Sequence, residues 1–202
     1  MPEKETTRLE AFSDGVFAIA ITLLALELKT PQFPEGQPPA SSALAASLLR
    51  QWPSYLAFLT SFFTVLVMWV HHHMIFKLVR RSDVSLLFAN GVLLMLVTVV
   101  PFPTAVVAEY LRTPAAPAAC ALYAGTFVLV GVAFWVLLLS AFRESIRDPE
   151  ASESTIRRLR KSYRFGPPGY VAALVAAPFS PLLAMGICTA LWVLWATATR
   201  EC

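Results

Sequence analysis

The stretch Arg8-Leu-Glu-Ala-Phe12-Ser13-Asp14-Gly-Val-Phe-Ala-Ile19-Ala-Ile-Thr22-Leu23-Leu-Ala-Leu26-Glu27 decides how the chain is read. It sets a basic and an acidic side chain at the mouth of an otherwise apolar segment long enough to enter a bilayer. A charge at bilayer depth is costly unless it is paired, lies at the interface or faces water, so the polar groups here are candidates for function. The plainer reading is a first membrane helix with an interfacial cap. Composition supports the bilayer: 57% of residues are hydrophobic and 14% charged, with a mean hydropathy of +0.63 over 202 residues. A soluble surface needs about a quarter charged residues, so this is an integral membrane protein.

The start does not read as a cleaved signal. Glu3, Glu5, Glu10 and Asp14 outweigh Lys4 and Arg8, and Leu28-Lys29-Thr30-Pro31 is a poor small-residue cleavage site, so the first helix is expected to stay. Cys120, Cys188 and Cys202 are odd in number and lack a C-x-x-C spacing, which gives no disulfide framework.

Apolar runs of roughly 18 or more residues mark helices that span a hydrocarbon core about 30 Å thick. Six are expected, all-α, in a single domain over residues 1–202. They cover about 12–28, 55–76, 84–111 and 118–142, with the last apolar block, 170–199, split by Pro178-Phe-Ser-Pro181 into two short helices. The alternative is one long tilted helix there and five spans. Pro101 and Pro103 should bend or break the third helix, and Pro53 is tolerable in the first turn of the second. A Pro-rich connection carrying Pro31, Pro34, Pro38 and Pro39 follows the first, and residues 143–165 read as a charged cytoplasmic loop.

Charge then sets the orientation. With six spans, Lys4, Arg8, Lys77, Arg80, Arg81, Arg143, Arg147, Arg157, Arg158, Arg160, Lys161, Arg164 and Arg200 collect on one side, against Lys29, Arg50 and Arg112 on the other. The positive-inside rule puts both termini in the cytoplasm. Topology accounts for the basic residues, so the net charge of +3 calls for no nucleic acid.

On a helix advancing about 100° per residue, Ile19, Leu23 and Leu26 form one narrow stripe with Thr22 on its flank. Taken alone, the stripe reads as ordinary packing or lipid contact. Gly15 and Ala18 give a small-residue edge suited to close helix approach. His71, His72 and His73 resemble a metal site at first sight, but consecutive helical residues diverge, and ligands on one helix need spacings of three or four. One or two of them are expected to point into the bundle and bond polar partners, for which Asn90, Ser13 and Asp14 lie at suitable depth. No phosphate loop, nucleophile elbow, H-E-x-x-H or paired intramembrane carboxylates are found, which argues against an enzyme. A small proton- or ion-coupled secondary transporter is the alternative, although the internal repeat usual in such folds is missing.

Arg8-x-x-x-Phe12-Ser13-Asp14, followed by Ala18, Thr22-Leu23 and Glu27, resembles the signature of bacterial relatives of the lysosomal potassium channel, the transmembrane protein 175 family. The Trp69-to-His71 run, Asn90 and the helix count are similar too. The resemblance implies a potassium-selective, leak-type cation channel of the plasma membrane, without a Thr-Val-Gly-Tyr-Gly filter. A single six-helix repeat implies a homotetramer in the lipid bilayer whose first helices line the pore. It further implies that Ile19, Leu23 and Leu26 form the hydrophobic constriction and that Thr22 serves selectivity. Potassium would pass transiently near Ile19 and Thr22, with no tightly bound metal and no cofactor. Arg8, Phe12, Ser13, Asp14, the three histidines and Asn90 would anchor the pore helix.

Overall fold

The computed structural model describes residues 6–34, 36, 38–150, 152–163 and 166–198. Arg164, Arg200 and Cys202, which the sequence reading uses, lie outside them, as does Lys4. The described residues are helical apart from turns and one isolated antiparallel bridge, between Val79 and Arg147. Helix α1 runs Thr7–Leu24 and tightens into a 3-10 turn at Ala25–Glu27. The first turn is closed by Thr6, whose hydroxyl donates to Glu10 Oε1 at 2.7 Å. After the proline-rich connection come a short helix, α2, Ser41–Arg50, and the long α3, Trp52–Lys77, which carries Pro53 in its first turn, where no intrahelical N–H is needed.

The third apolar run breaks where the prolines sit. Helix α4 covers Val84–Val99 and α5 covers Pro101–Tyr110. Pro101 has no N–H to give to the Val97 carbonyl, and the Val100 N–H takes that acceptor instead at 3.2 Å. Helix α6, Ala116–Ala141, is unbroken. Residues expected as a charged loop contain a helix of their own, α7, Glu153–Tyr163, which buries Ile156, Leu159 and Tyr163. The last apolar block does divide, into α8, Gly166–Ala176, and α9, Pro181–Ala198, joined by a turn at Pro178. Four spans are long and apolar enough to cross a membrane unaided: Thr7–Glu27, Trp52–Lys77, Val84–Tyr110 and Ala116–Ala141. With α8 and α9 there are six apolar segments, but α8, at about 1.5 Å per residue, is roughly half a bilayer long.

Packing follows small residues. A Cβ on Gly166 would lie 2.8 Å from the Trp195 ring, and one on Gly169 would lie 2.6 Å from Leu191, so α8 and α9 meet at glycine. In lipid, association rests on such close contact rather than on hydrophobic transfer. Helix α3 is tied to its neighbours by hydroxyls: Ser61 pairs with Thr104 of α5 at 2.7 Å and with Tyr123 of α6 at 3.0 Å, and Thr60 pairs with Thr189 of α9 at 3.1 Å. At one end of the bundle the loops are stitched together, with the Arg80 and Arg81 N–H groups donating to the Ile146 carbonyl and the Asp148 N–H to that of Leu78. Lys29 and Glu109 meet at the other end, 3.8 Å apart and largely exposed.

Candidate functional site

Helix α1 packs mainly against α3 and α4 and, less extensively, against α5. Ser13, Phe17, Ala20 and Leu24, spaced four, three and four, are buried, which is the period of a single helical face. The polar part of that face is a chain of directed hydrogen bonds. Asn90 of α4 donates through Nδ2 to Ser13 Oγ at 2.9 Å, and Ser13 Oγ donates on to the Leu9 carbonyl at 2.8 Å. The remaining Asn90 oxygen lies 2.8 Å from His72 Nε2. With the amide placed this way, His72 must be the donor, which assigns its proton to Nε2. Two bonds between buried side chains thereby join three helices. The Phe17 ring lies 5.3 Å from that of His72, shielding the network from the outer half of the helix.

Asp14, one residue on and at the rim, accepts from the Trp69 indole N–H at 2.8 Å, and His73 stacks on Trp69 with ring centres 6.1 Å apart. The three histidines thus face three ways: His72 towards Asn90, His73 along Trp69, and His71 to the opposite side of α3, against Tyr163 and Trp195. Among the described residues no three His, Cys, Asp or Glu side chains converge on a metal-sized site. Arg8 and Phe12 are exposed, and among the described residues the Arg8 guanidinium finds no partner, so the structure does not bring it into the network with Ser13 and Asn90.

The opposite face of α1 is open. Ile19 is 59% exposed, Leu23 40% and Leu26 70%, with Thr22 exposed among them. Only 22% of the most apolar 18-residue window of this span is buried, against 39 to 44% in the other three long spans. Thr22 donates its hydroxyl proton to the Ile19 carbonyl at 2.9 Å, which leaves the oxygen lone pairs facing outward as acceptors. Leu26 sits on the 3-10 turn, where each residue advances about 120°, so α-helical spacing does not extend to it.

Sequence reasoning passed over Phe17 and used Trp69 only as part of the Trp69-to-His71 run. Phe17 is recoverable from the four-three-four spacing around Ser13. Nothing in spacing pairs Trp69 with Asp14, which is 55 residues away.

These features define a polytopic helical membrane protein whose first helix is held by polar bonds on one face and, among the described residues, left open on the other. The sequence model described as endosomal/lysosomal potassium channel TMEM175 matches residues 8–101. A protein of Chamaesiphon minutus named as a potassium channel is 48% identical over 197 residues, covering 96% of this chain and 95% of that one. A potassium channel of Streptomyces collinus is 42% identical over 182 residues, covering 87% and 86%. The crystal structure of the lysosomal potassium-selective channel TMEM175 homolog from Chamaesiphon minutus superposes with a TM-score of 0.85 over 96% of this chain and 97% of that one. The chain belongs to the TMEM175 family.

Proposed function

We propose that this chain is one subunit of a homotetrameric, potassium-selective leak channel. It would lie in the plasma membrane with both termini cytoplasmic, and four copies of α1 would surround the axis. The observation that carries the reading is the open face of α1. Ile19, Leu23 and Leu26 lie exposed opposite a face that is buried and hydrogen-bonded. Among these apolar side chains the exposed Thr22 oxygen keeps lone pairs free to accept. In a ring of four it supplies acceptors for a partly dehydrated cation beside Ile19. The apolar side chains span about 10 Å along the axis at about 1.5 Å per residue and stop ions by dewetting. Relatives named as potassium channels cover nearly the whole chain, which favours the same cargo. Residues 1–202 act as one channel domain. Ser13, Asp14, His72 and Asn90 hold the helix, and potassium is the permeant ion, with no resident metal, cofactor or enzymatic step.

Potassium flux into liposomes containing purified protein tests this. Wild type conducts, Ile19→Ala raises the flux several-fold by widening the narrowest ring, and Thr22→Val lowers the preference for potassium over sodium. The mass of the detergent-solubilised complex counts four subunits. Absence of flux from wild type removes the channel reading, and a complex with no rotational symmetry removes the axial pore.

A further inference from the structure

A groove runs between α4 and α6 on the outside of the bundle. Its floor is made by Ala89 and Ala133, both buried, and its walls by the exposed Phe88, Val92, Val132 and Val136. Small residues at the contact let the two backbones approach, so the larger side chains beside them stand as rims. Along α4 the lining extends from Ser85 to Leu96, and along α6 from Leu129 to Ser140, which is eleven residue steps on each helix. At about 1.5 Å per residue the groove is about 17 Å long. A hydrocarbon core about 30 Å thick gives each leaflet about 15 Å, so the groove has the depth of one leaflet.

The two ends of the groove differ. Asp83, the N-cap of α4, pairs with Arg143, which follows α6, so Ser85 and Ser140 share one end. Arg143 crosses that end. Its Nε donates to the Ser140 carbonyl at 3.3 Å and its Nη2 to Asp83, so the guanidinium spans the two helices that form the groove. It remains exposed, and these two bonds leave three of its five N–H donors. Arg80 and Arg81 are exposed on the loop before α4, which is held to the loop after α6 by their backbone N–H groups donating to the Ile146 carbonyl. Asp83, Glu144 and Asp148 match the three arginines in number, so this end offers a placed guanidinium rather than a large net charge. At the far end the lining, Met95, Leu96 and Leu129, is apolar.

A phospholipid has the same polarity over the same length, with a phosphate at the membrane boundary and an acyl chain one leaflet deep. Guanidinium and phosphate form short, charge-assisted hydrogen bonds, often in pairs. We propose that the groove between α4 and α6 is a binding site for one phospholipid, whose acyl chain lies along Ala89 and Ala133 and whose phosphate accepts from Arg143. The site is separate from the open face of α1 and does not depend on conduction. Ala89 adjoins Asn90, so the lipid lies against the helix that bonds Ser13.

The test is native mass spectrometry of the full-length protein, delipidated in detergent and then given phosphatidylglycerol or a diacylglycerol with the same acyl chains. Phosphatidylglycerol is expected to be retained at least fivefold more than diacylglycerol at matched collision energy. Val132→Trp, which puts a ring into the groove from an exposed position, should lower that retention at least fivefold, and so should Arg143→Gln. Arg112→Gln, which removes an exposed cation at the other end of the bundle, should leave it unchanged. Asp83→Asn keeps an acceptor for the Leu86 N–H and releases Arg143 from its carboxylate, so retention should hold or rise. Equal retention of the two lipids overturns the proposal, as does retention untouched by Val132→Trp, which is annular lipid only. A fall in Asp83→Asn as large as in Arg143→Gln also overturns it, because the ion pair and not a phosphate contact would then matter. In a structure determined in phosphatidylglycerol nanodiscs, a phosphate oxygen within about 3.2 Å of the Arg143 guanidinium supports the site. A helix of a second copy lying in the groove overturns it.

Discussion

The two faces of α1 are built on opposite principles. One face, Ser13, Phe17, Ala20 and Leu24, is buried against α3 and α4 and secured by a directed chain of hydrogen bonds through Asn90 to His72. The other, Ile19, Thr22, Leu23 and Leu26, lies exposed among the described residues, and the Thr22 hydroxyl bonds back to its own helix. Since lipid solvates an apolar side chain about as well as protein does, apolarity cannot distinguish the faces. What separates them is where the polar atoms find partners. A substitution on the buried face should therefore cost stability first, and one on the open face should alter conduction and leave the subunit's fold alone.

Among changes to the polar network, Asn90→Leu should have the largest effect. It removes the acceptor of His72 and the donor to Ser13 together, leaving a buried imidazole N–H without a partner. An intramembrane hydrogen bond averages about 0.6 kcal/mol and an orphaned buried group costs about 1–3, so the loss should reach about 2 kcal/mol. The midpoint of unfolding in detergent checks it, and an unchanged midpoint would show that the network is not what holds α1. Ser13→Ala is the milder form. It leaves Asn90 Nδ2 without its acceptor but spares the His72 bond, and about 1 kcal/mol is expected from the same measurement.

Asp83 comes next, because it caps α4, the helix that carries Asn90, but does so in water. Its carboxylate accepts from the Leu86 N–H at 2.8 Å and pairs with Arg143 of the facing loop. The Leu86 N–H first, and Arg143 after it, hold the carboxyl below its ordinary range. The cap is therefore fully present above the ordinary carboxylate range and is lost as the pH falls through the depressed folded value. Thermal unfolding should show stability falling at acid pH, by less than Ser13→Ala removes at neutral pH. Asp83→Asn should flatten that part of the profile. A slope that survives in Asp83→Asn belongs to another group.

The spans were legible in the sequence because a helix in lipid must satisfy its own backbone and fill its surface with apolar side chains, which leaves long unmistakable runs. The proline break at Val100 and the turn at Pro178 were legible for the same backbone reason. Helix α7 was not: the sequence Glu153 to Tyr163 is rich in charged residues, and Ile156, Leu159 and Tyr163, which it buries, are too few to stand out when read as a run. Of the site, Ser13, Asn90 and a histidine could be matched by depth, but which histidine turned inward depended on helix rotation, which three consecutive identical residues cannot reveal. The Asp14–Trp69 bond depends on how helices far apart in the chain are placed together.

Leu23→Ala sharpens the comparison by asking for no effect on one measurement and a clear one on another. Leu23 is 40% exposed and sits one residue from Leu24, which is fully buried. The same truncation at two neighbouring positions therefore samples the two faces with chemistry held constant. At Leu24 it opens a void among packed helices, and large-to-small changes at such sites cost about 2–5 kcal/mol in soluble proteins. At Leu23 the subunit's unfolding midpoint should stay within about 0.5 kcal/mol of wild type, as for surface positions. Potassium flux should rise there, because an apolar ring that excludes water is weakened by every methyl removed. Equal destabilisation at both positions would mean that the open face is covered by a structural contact as tight as the buried one. The division between an anchored face and a conducting one would then have no physical basis in α1.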